Sequence, residues 1–544
     1  MSLGFCFSIF KAIRCGMMID PDMKTTSDYL EEVIEEIGGF GKFQVLLHGS
    51  ILLSKVSITW SLLIMAFAGA APDWWCVYPN TTYTPASGAI NYNTTVLPSS
   101  SPNVTVPEMT KSFQTCTPPS NESSVCQSFV FDDSMRTIIN EWGLICDDKW
   151  VTATVSSVQM AGLLISGLLG GQLADVIGRK PTFYVSILIL SVFNIVAGFS
   201  TSWIMFAVTR FIIGLGCGAY LTVFYTFSVE FTPTKFRPIQ IAVPDWSIWA
   251  ALLGFFSYIL KDWKSLHILT GGLTGLSLFT WWIVPESFRW LVSHDKLAEA
   301  DKVIKKIARM NNHPKPDLNK LRAVVDSDPS FQGSRQYTFL ELIRDRSLLK
   351  TTALAGVGWF SCGYAYYAIS YSVDQLSGDL YLNMFLLSVI DIPALMSIWY
   401  LSNRLGRRWT CLGYFMIGSA ACLGVAVSQM IDVDSGLQKT LINGFALAAK
   451  FGVSASWAAI MAFTTEVYPT VVRNIGYGTQ NSISRIGALI APQLVLVNKV
   501  TPGVMYIICF VVTLTSAITC LLLKETKDKT ISDNLEVRVA ANRK

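Results

Sequence analysis

Long apolar segments separated by short polar connections run through most of the chain. Each segment is about 20 residues long, which is the length an α-helix needs to cross a hydrocarbon core of roughly 30 Å. Twelve transmembrane helices are therefore predicted, at residues 43–70, 151–173, 182–200, 204–229, 239–260, 265–284, 349–373, 380–402, 410–430, 439–463, 475–497 and 504–523. This pattern predicts an all-α polytopic membrane protein.

A polar stretch divides the predicted helices into six and six. We expect a cytosolic N-terminal tail (1–42), a first bundle (43–284) that includes a large extracellular loop (72–150), a cytosolic linker with amphipathic helices (285–348), a second bundle (349–523) and a cytosolic C-terminal tail (524–544). Within the linker, apolar and basic positions at helical spacing predict one amphipathic helix over 286–313.

Two short motifs occur in both halves at matching places. The pattern E-x-x-P-T-x-x-R follows the fourth predicted helix and again the tenth, and "GGQLADVIGRK" after the second helix is echoed by "WYLSNRLGRR" after the eighth. Two copies in the same order indicate two pseudo-symmetric six-helix bundles. Membrane proteins built from repeated bundles commonly hold a solute near the bilayer midplane, between repeats that rock against each other.

The charges of these motifs suggest a cytosolic gate. We expect salt bridges among them to latch the two bundles while the outer side is open, with a glycine in the tight turn that allows close backbone approach. The candidate gating residues are Asp175, Gly178, Arg179, Lys180, Glu230, Arg237, Arg404, Arg407, Glu466 and Arg473.

Composition agrees with a membrane protein. Of 544 residues, 51% are hydrophobic and 15% charged, whereas soluble domains carry roughly 25% charged residues. The formal net charge of +4 argues against a nucleic-acid partner, which would require a strongly basic face. The expected partners are a small organic solute and the lipid bilayer, and the sequence does not indicate an oligomeric state.

The loop after the first predicted helix indicates which side of the membrane it occupies. It carries eight acidic and three basic residues, whereas basic residues recur in the short connections of the opposite side, which the positive-inside rule assigns to the cytosol. Four N-x-[ST] sequons and an even number of cysteines fit an oxidising compartment. They are Asn80, Asn93, Asn103 and Asn121, and Cys76, Cys116, Cys126 and Cys146. We expect a multi-pass plasma-membrane protein with both termini cytosolic; four cysteines allow three disulfide pairings.

Other functional classes find little support. The run "GLGCG" from Gly214 to Gly218 lies inside a predicted helix, where it indicates close helix packing rather than a phosphate-binding loop. The sequence has no P-loop, H-E-x-x-H motif or nucleophile elbow, so we expect neither an ATP-driven pump nor an enzyme. We expect no cofactor; transport can be coupled to sodium, protons or a counter-substrate.

Several motifs carry a family resemblance. "GGQLADVIGRK" and "RFIIGLG" resemble motifs of the major facilitator superfamily, and "NEWGLICDDKW", "ESFRWL" and "TEVYPTVVRNIG" resemble signatures of the organic cation, organic anion and carnitine transporters, solute carrier family 22. The resemblance covers roughly residues 28–527. It implies the major facilitator fold and transport by alternating access.

Charged residues inside the predicted helices are the first candidates for solute binding, because a charge at a helix centre costs about 2.5–3.5 kcal/mol on insertion scales. Arg485 lies roughly 15–18 Å from either end of its helix. Asp391 and Lys450 are similarly central, Lys55 is central in the first helix, and Asp245 lies about two turns into the fifth. The structural alternative is an internal salt bridge, such as Arg485 with Asp391.

Uncharged candidates follow from helical spacing. Trp457 is seven residues from Lys450, and Asn481 is four residues from Arg485, so each pair shares a helix face. On the seventh helix, Trp359, Tyr366 and Tyr367 offer aromatic faces for an ammonium group. These aromatic residues can equally be packing residues, but the resemblance implies that the seventh-helix tyrosines line the cavity.

The resemblance also bears on the substrate. Arg485 occupies the position where cation carriers of the family typically have aspartate, and where anion and carnitine-type carriers typically have arginine. "ILKDWK", "LSGDLYLN" and "KFGVSASW" resemble the carnitine and zwitterion branch. We therefore expect a transporter of small organic cations or zwitterions such as a carnitine-like betaine. The alternatives are an organic anion exchanger and a transporter-like receptor that binds without transporting.

Overall fold

Helices form at all twelve predicted places. The computed structural model describes residues 26–77, 116, 128–236, 243–314, 316, 339–431, 435–468 and 473–526. The helices are α1 (Lys42–Ala68), α2 (Trp150–Ile177), α3 (Arg179–Gly198), α4 (Trp203–Glu230), α5 (Asp245–Leu260), α6 (Trp263–Ser277), α7 (Arg346–Tyr371), α8 (Leu380–Leu405), α9 (Arg407–Met430), α10 (Ser435–Val467), α11 (Arg473–Val500) and α12 (Val504–Leu522). Short helical segments lie at Phe339–Arg344 and, in 3-10 form, at Cys146–Asp148, Thr234–Phe236, Leu278–Trp282 and Val373–Gln375.

Most of these helices have the dimensions of membrane spans. Within the described ranges, nine are long and apolar enough to cross a bilayer by length and composition, the exceptions being α5, α6 and α7. Helix α7 has 26 residues, but its stretch from Ser361 to Tyr371 is buried throughout. A helix enclosed by other helices faces no lipid, so it can carry tyrosines and serines that a lipid-facing helix would not.

The start of α5 differs from the prediction. The expected helix begins at residue 239, whereas the described helix begins at Asp245, with Pro244 as its N-cap residue. Proline has no backbone N–H and fits the start of a helix better than its interior. Asp245 therefore lies in the first turn of α5 and not two turns inside it.

Glycines allow two helix pairs to approach closely. A Cβ atom on Gly214 would lie 2.1 Å from the carbonyl oxygen of Gln159, and one on Gly218 would lie 2.4 Å from that of Leu163. The prediction that this glycine run serves helix packing is confirmed, since it brings α4 against α2. Helices α7 and α11 meet in the same way, because a Cβ on Gly363 would lie 2.0 Å from the carbonyl oxygen of Ser484.

The two helical halves contact each other through α2 with α11 and α5 with α8. We call the end of these helices that carries residues 69–149 the loop side. Near it, the Ser157 hydroxyl donates to the Leu489 carbonyl (2.9 Å), and the rings of Phe67 and Tyr381 stack with centroids 5.6 Å apart. A cavity of about 50 Å³ remains between the halves there. It has room for a few water molecules, not for an organic solute, so the halves are closed together on the loop side.

The described part of the first loop contains a small sheet. Strands β1 (Trp74–Val77) and β2 (Ser128–Phe131) pair antiparallel, and a short helix follows at Ile138–Trp142. Cys116 is bonded to Cys146, with Cα atoms 5.7 Å apart. The four sequons, at Asn80, Asn93, Asn103 and Asn121, and Cys126 lie outside the described residues.

The chain divides into two compact units. The smaller unit includes described residues 26–46, 229–236, 286–314 and 316, with helices at Thr26–Glu36, Phe288–Ser293 and Leu297–Asn311. The single amphipathic helix predicted over 286–313 is therefore wrong; a turn with Asp295 in the left-handed region (φ 57°) divides it. Inside this unit, the Asn311 amide accepts from the Phe43 N–H and donates to the Ile37 carbonyl, each at 2.9 Å.

Candidate functional site

A buried ion pair lies in the middle of the second half. Lys450 of α10 and Asp391 of α8 are each 3% exposed, and the Lys450 Nζ is 3.9 Å from the Asp391 Oδ2. Hydroxyl groups complete the hydrogen bonding: Ser454 donates to one carboxylate oxygen, Tyr366 donates to the other at 3.2 Å, and Lys450 donates to Ser370 at 2.7 Å. The carboxylate is thus already bound by neighbouring groups of the protein.

An aromatic cluster surrounds this ion pair. The Lys450 Nζ lies 3.2 Å from the centre of the Tyr366 ring. That ring packs edge to face on Tyr367 (5.6 Å between centroids) and on half-buried Trp457 (5.5 Å). The predicted shared face of Lys450 and Trp457 is seen here, since both contact Tyr366. An ammonium ion prefers such π faces, and in this structure Lys450 occupies one of them.

Arg485 lies half-buried near the middle of α11 and points toward the tyrosines of α7. Its guanidinium donates to the Asn481 Oδ1 at 3.1 Å and to the Tyr367 hydroxyl at 3.4 Å. The close approach of α7 and α11 around Gly363 makes the second contact possible. Among the described residues no carboxylate forms an ion pair with Arg485. The structural alternative that pairs Arg485 with Asp391 is wrong, because Asp391 is held by Lys450.

A second ion pair lies in the first half. Lys55 of α1 forms a salt bridge with Asp245 at the start of α5, with side chains 12% and 14% exposed. The Lys55 Nζ also lies 4.8 Å from the centre of the Phe224 ring of α4. The charges of this pair cancel, so it adds no net charge to the interior.

Trp359, like the pair of Lys55 and Asp245, lies apart from the ion pair and aromatic cluster of the second half. It is 1% exposed, lies in the hydrophobic core of the second half, and donates its indole N–H to Thr464 at 2.9 Å. Its ring packs edge to face on Tyr477, 5.3 Å away. Its spacing of seven residues from Tyr366 places both near one face of α7, but its described contacts are those of a core residue.

Sequence reasoning missed Trp246, which joins the two halves at this place. Its indole N–H donates to the Tyr366 hydroxyl at 2.6 Å, from the first turn of α5 to α7. A usable signal existed, because Trp246 directly follows Asp245, one of the candidates. The serines that bind the ion pair carried no comparable signal, since serine occurs in each of the helices α1 to α12.

Arg210 in the first half was also missed as a charge within a helix. It is 0% exposed in α4, donates to the Ser61 carbonyl at 2.8 Å and to the Gln159 side chain, and lies 3.4 Å from the His267 Nε2. The other nitrogen of that imidazole lies 2.8 Å from the Trp263 carbonyl. Neutral acceptors therefore surround this guanidinium.

The first copy of the gating motifs forms contacts inside the first half. Gly178 has φ 118°, which confirms the predicted tight turn between α2 and α3. Arg179 at the start of α3 forms a salt bridge with Asp175 near the end of α2, and the Lys180 Nζ lies 4.4 Å from the centre of the Trp281 ring. Glu230 is the last residue of α4, and Arg237 lies outside the described residues.

The second copy is built in a similar way. Gly406 has φ 95°, and Arg407 donates to the Glu466 carboxylate at 2.9 Å. The Glu525 carboxylate accepts from the Arg407 backbone N–H at 3.0 Å. A negative charge at this place stabilises α9, because the N-terminus of a helix carries a partial positive charge. Arg404 lies over the Tyr400 ring, and Arg473 begins α11. The ion pairs that these contacts show lie within a half; the latch between halves stays a prediction.

Comparison with known proteins agrees with this architecture. Residues 89–535 match the family described as sugar (and other) transporters. The chain is 28% identical to solute carrier family 22 member 4 of Mus musculus over 94% of each chain. It is also 28% identical to organic cation/carnitine transporter 2 of Homo sapiens, over 75% of this chain and 72% of that protein.

Solved structures show the same fold. The xylose transporter XylE from E. coli, in a partially occluded inward open conformation, superposes with a TM-score of 0.58 at 13% identity, over 92% of this chain and 100% of that one. At this identity the likeness concerns the fold, which is the major facilitator fold predicted from the motifs. With a family match over most of its length, the chain belongs to the sugar (and other) transporter family of multi-pass membrane transporters.

Proposed function

We propose that this transporter carries small organic zwitterions or cations, with a carnitine-like betaine as the representative solute, across the plasma membrane by alternating access. The relatives named as organic cation and carnitine transporters support this class. The observation on which the proposal rests is Arg485, a half-buried arginine in mid-helix whose described contacts are an amide and a phenol.

Arg485 is proposed to bind the carboxylate of the solute. A guanidinium offers two parallel N–H donors that match a carboxylate, and its contacts here leave donors available. Asn481 and Tyr367 hold it from one side, so the guanidinium is oriented before the solute arrives. Orientation of this kind reduces the entropy that binding costs.

The aromatic cluster is proposed to receive the ammonium end. Trp457 is half-buried and packs with Tyr366 and Tyr367, and cation–π contacts contribute roughly 0.5–2 kcal/mol. Asp391 contributes less than its charge suggests, because Lys450 and two hydroxyls already bind it. A strong attraction for the carboxylate and a modest one for the ammonium favour a zwitterion over a simple cation.

The balance of charge also favours a zwitterion over a simple cation. Lys450 cancels Asp391 and Lys55 cancels Asp245, which leaves the positive charges of Arg485 and of fully buried Arg210. A solute without an anionic group meets repulsion from Arg485, and only the aromatic cluster offsets it. Closure of the halves on the loop side is one state of the proposed cycle, with the termini and the linker cytosolic. Coupling to sodium, protons or a counter-substrate is part of the proposal that only flux measurements address.

The test is uptake into proteoliposomes of a labelled betaine, a simple quaternary cation and a dicarboxylate, by the wild type and Arg485→Gln. Loss of a charge-assisted hydrogen bond worth about 1.5–3 kcal/mol predicts a loss of betaine uptake of about 10-fold or more, with simple-cation uptake kept. Equal loss of all three solutes would contradict the binding role.

The same panel separates the alternatives. Dicarboxylate uptake that exceeds betaine uptake, and that an internal anion accelerates, would replace the proposal with organic anion exchange. Saturable binding without accumulation would indicate a receptor. Lys499→Gln on the same helix is the matched control, since Lys499 pairs with Asp374 near the loop side and not with the aromatic cluster.

A further inference from the structure

A hydrogen bond between the two halves ends directly on the proposed solute site. Trp246 belongs to the first half, at the start of α5, and Tyr366 belongs to the second half, on α7. The indole N–H donates to the phenol oxygen at 2.6 Å. The same phenol donates to Asp391 at 3.2 Å. The hydroxyl is therefore held from both sides, once by each half.

The orientation of the Tyr366 ring depends on that hydroxyl. A phenol has one donor and acceptor lone pairs, and here the donor goes to Asp391 while an acceptor position takes the indole N–H. With both bonds formed, the ring presents its face to the Lys450 Nζ at 3.2 Å and packs nearly perpendicular to the Trp457 ring. Without the indole, Asp391 alone directs the hydroxyl.

We propose that Trp246 is a positioning residue that acts through Tyr366: the first half orders the aromatic face of the solute site while the halves are together, and releases it when they part. The proposal deepens the proposed function, on which it rests, by linking solute affinity to the conformational state of the transporter. A ligand changes a conformational equilibrium only by binding the two states with different affinity, and this bond supplies such a difference.

The neighbouring tryptophan provides a matched control. Trp249 lies one helical turn further along α5, and its indole N–H donates to the Leu52 carbonyl at 2.8 Å, inside the first half. Trp246→Phe and Trp249→Phe each remove one indole N–H from α5. Only the first removes a bond between the halves.

The first measurement is uptake kinetics of the labelled betaine. Trp246→Phe is expected to raise the KM about threefold to tenfold, whereas Trp249→Phe is expected to leave it within about twofold, in keeping with the usual worth of one neutral hydrogen bond. Tyr366→Phe removes the same bond from the other side. If the two residues act through this bond, the double variant Trp246→Phe/Tyr366→Phe is no worse than Tyr366→Phe alone.

The second measurement does not depend on any solute. Cysteines at Ser157 and Gln493, whose side chains contact at 3.2 Å, report loop-side closure through a short bifunctional thiol reagent, with single-cysteine proteins as blanks. Trp246→Phe is expected to lower the crosslinked fraction, and Trp249→Phe is expected to leave it unchanged.

Distinct results overturn distinct claims. Additive effects in the double variant, or a crosslinked fraction that Trp246→Phe leaves unchanged, would overturn the positioning role. Should Trp246→Phe not reach the membrane, Tyr366→Phe carries the crosslinking test with the same expected decrease. If Trp246→Phe lowers the crosslinked fraction but the protein transports no betaine, the bond between the halves is supported. The proposed solute is then rejected.

Discussion

Two arginines within the helices of this transporter differ in burial and in the number of groups that bind their guanidinium. Arg210 in the first half is 0% exposed, and a carbonyl, an amide side chain and an imidazole surround it. Arg485 in the second half is half-buried, with one amide and one phenol in contact. Neither forms an ion pair with a carboxylate among the described residues.

The difference lies in what remains for a solute to bind. Groups of the protein accept hydrogen bonds from Arg210, and its side chain is completely buried. A solute therefore cannot reach its guanidinium. Arg485 keeps exposed surface and donors toward the aromatic cluster. A charge within a membrane helix is therefore not by itself a sign of solute binding. Whether an arginine can bind a solute depends on its remaining N–H donors and on the exposure of its side chain.

The largest expected effect comes from Arg210→Met. Two buried acceptors lose their donor, namely the Gln159 amide oxygen and the His267 ring, and each unsatisfied group costs about 1–3 kcal/mol. The Ser61 carbonyl keeps the Gln159 amide N–H as a donor. We expect loss of most folded protein, measured as the monodisperse fraction and thermal midpoint in detergent. Arg485→Met is the matched variant and should keep both values. Equal loss of folded protein in the two variants would contradict a structural role for Arg210 alone.

Lys450→Met should have the next largest effect. Removing one partner of a buried ion pair costs about 3–5 kcal/mol, because the other charge stays buried and unpaired. We expect a lower thermal midpoint that the double variant Lys450→Met/Asp391→Asn largely restores. In the single variant, a simple quaternary cation should raise the midpoint more than it does in the wild type, since Asp391 and the Tyr366 ring become available. No such gain would show that Lys450 does not occupy a cation site.

Lys499→Gln should have the smallest effect. Lys499 and Asp374 form an ion pair at 2.6 Å near the loop side, with side chains 37% and 14% exposed. Pairs of this kind contribute about 0–1 kcal/mol. We expect betaine uptake within about twofold of wild type and an unchanged thermal midpoint. A large loss of betaine uptake would mean that uptake depends on positive charge anywhere along α11. It would count against a specific binding role of Arg485.

Patterns within one helix were predictable from the sequence. The apolar segments located the helices, and spacing on one helix face placed Asn481 beside Arg485 and Trp457 near Lys450. Both features depend on helical geometry, which the sequence expresses directly. The glycine turn at Gly178 was readable for the same reason, because positive φ values favour glycine.

Contacts between helices were not predictable in this way. Which acid meets Lys450, or which donor meets Tyr366, depends on how α5, α7, α8 and α10 pack, and no spacing within one helix encodes that. Arg210 begins the motif "RFIIGLG", and this motif does not reveal that carbonyl, amide and imidazole groups of other helices surround the buried guanidinium. The start of α5 at Asp245 follows from one proline, whose effect an apolar pattern does not reveal.

The central claim is that Arg485 binds the anionic end of the solute. It is tested most directly by measuring the binding of a betaine and of its methyl ester to the purified wild type and to Arg485→Gln. The wild type should bind the betaine about 10-fold or more tightly than the ester, as expected for a charge-assisted hydrogen bond, and the variant should bind both alike. The same preference for the betaine in both proteins would contradict the claim.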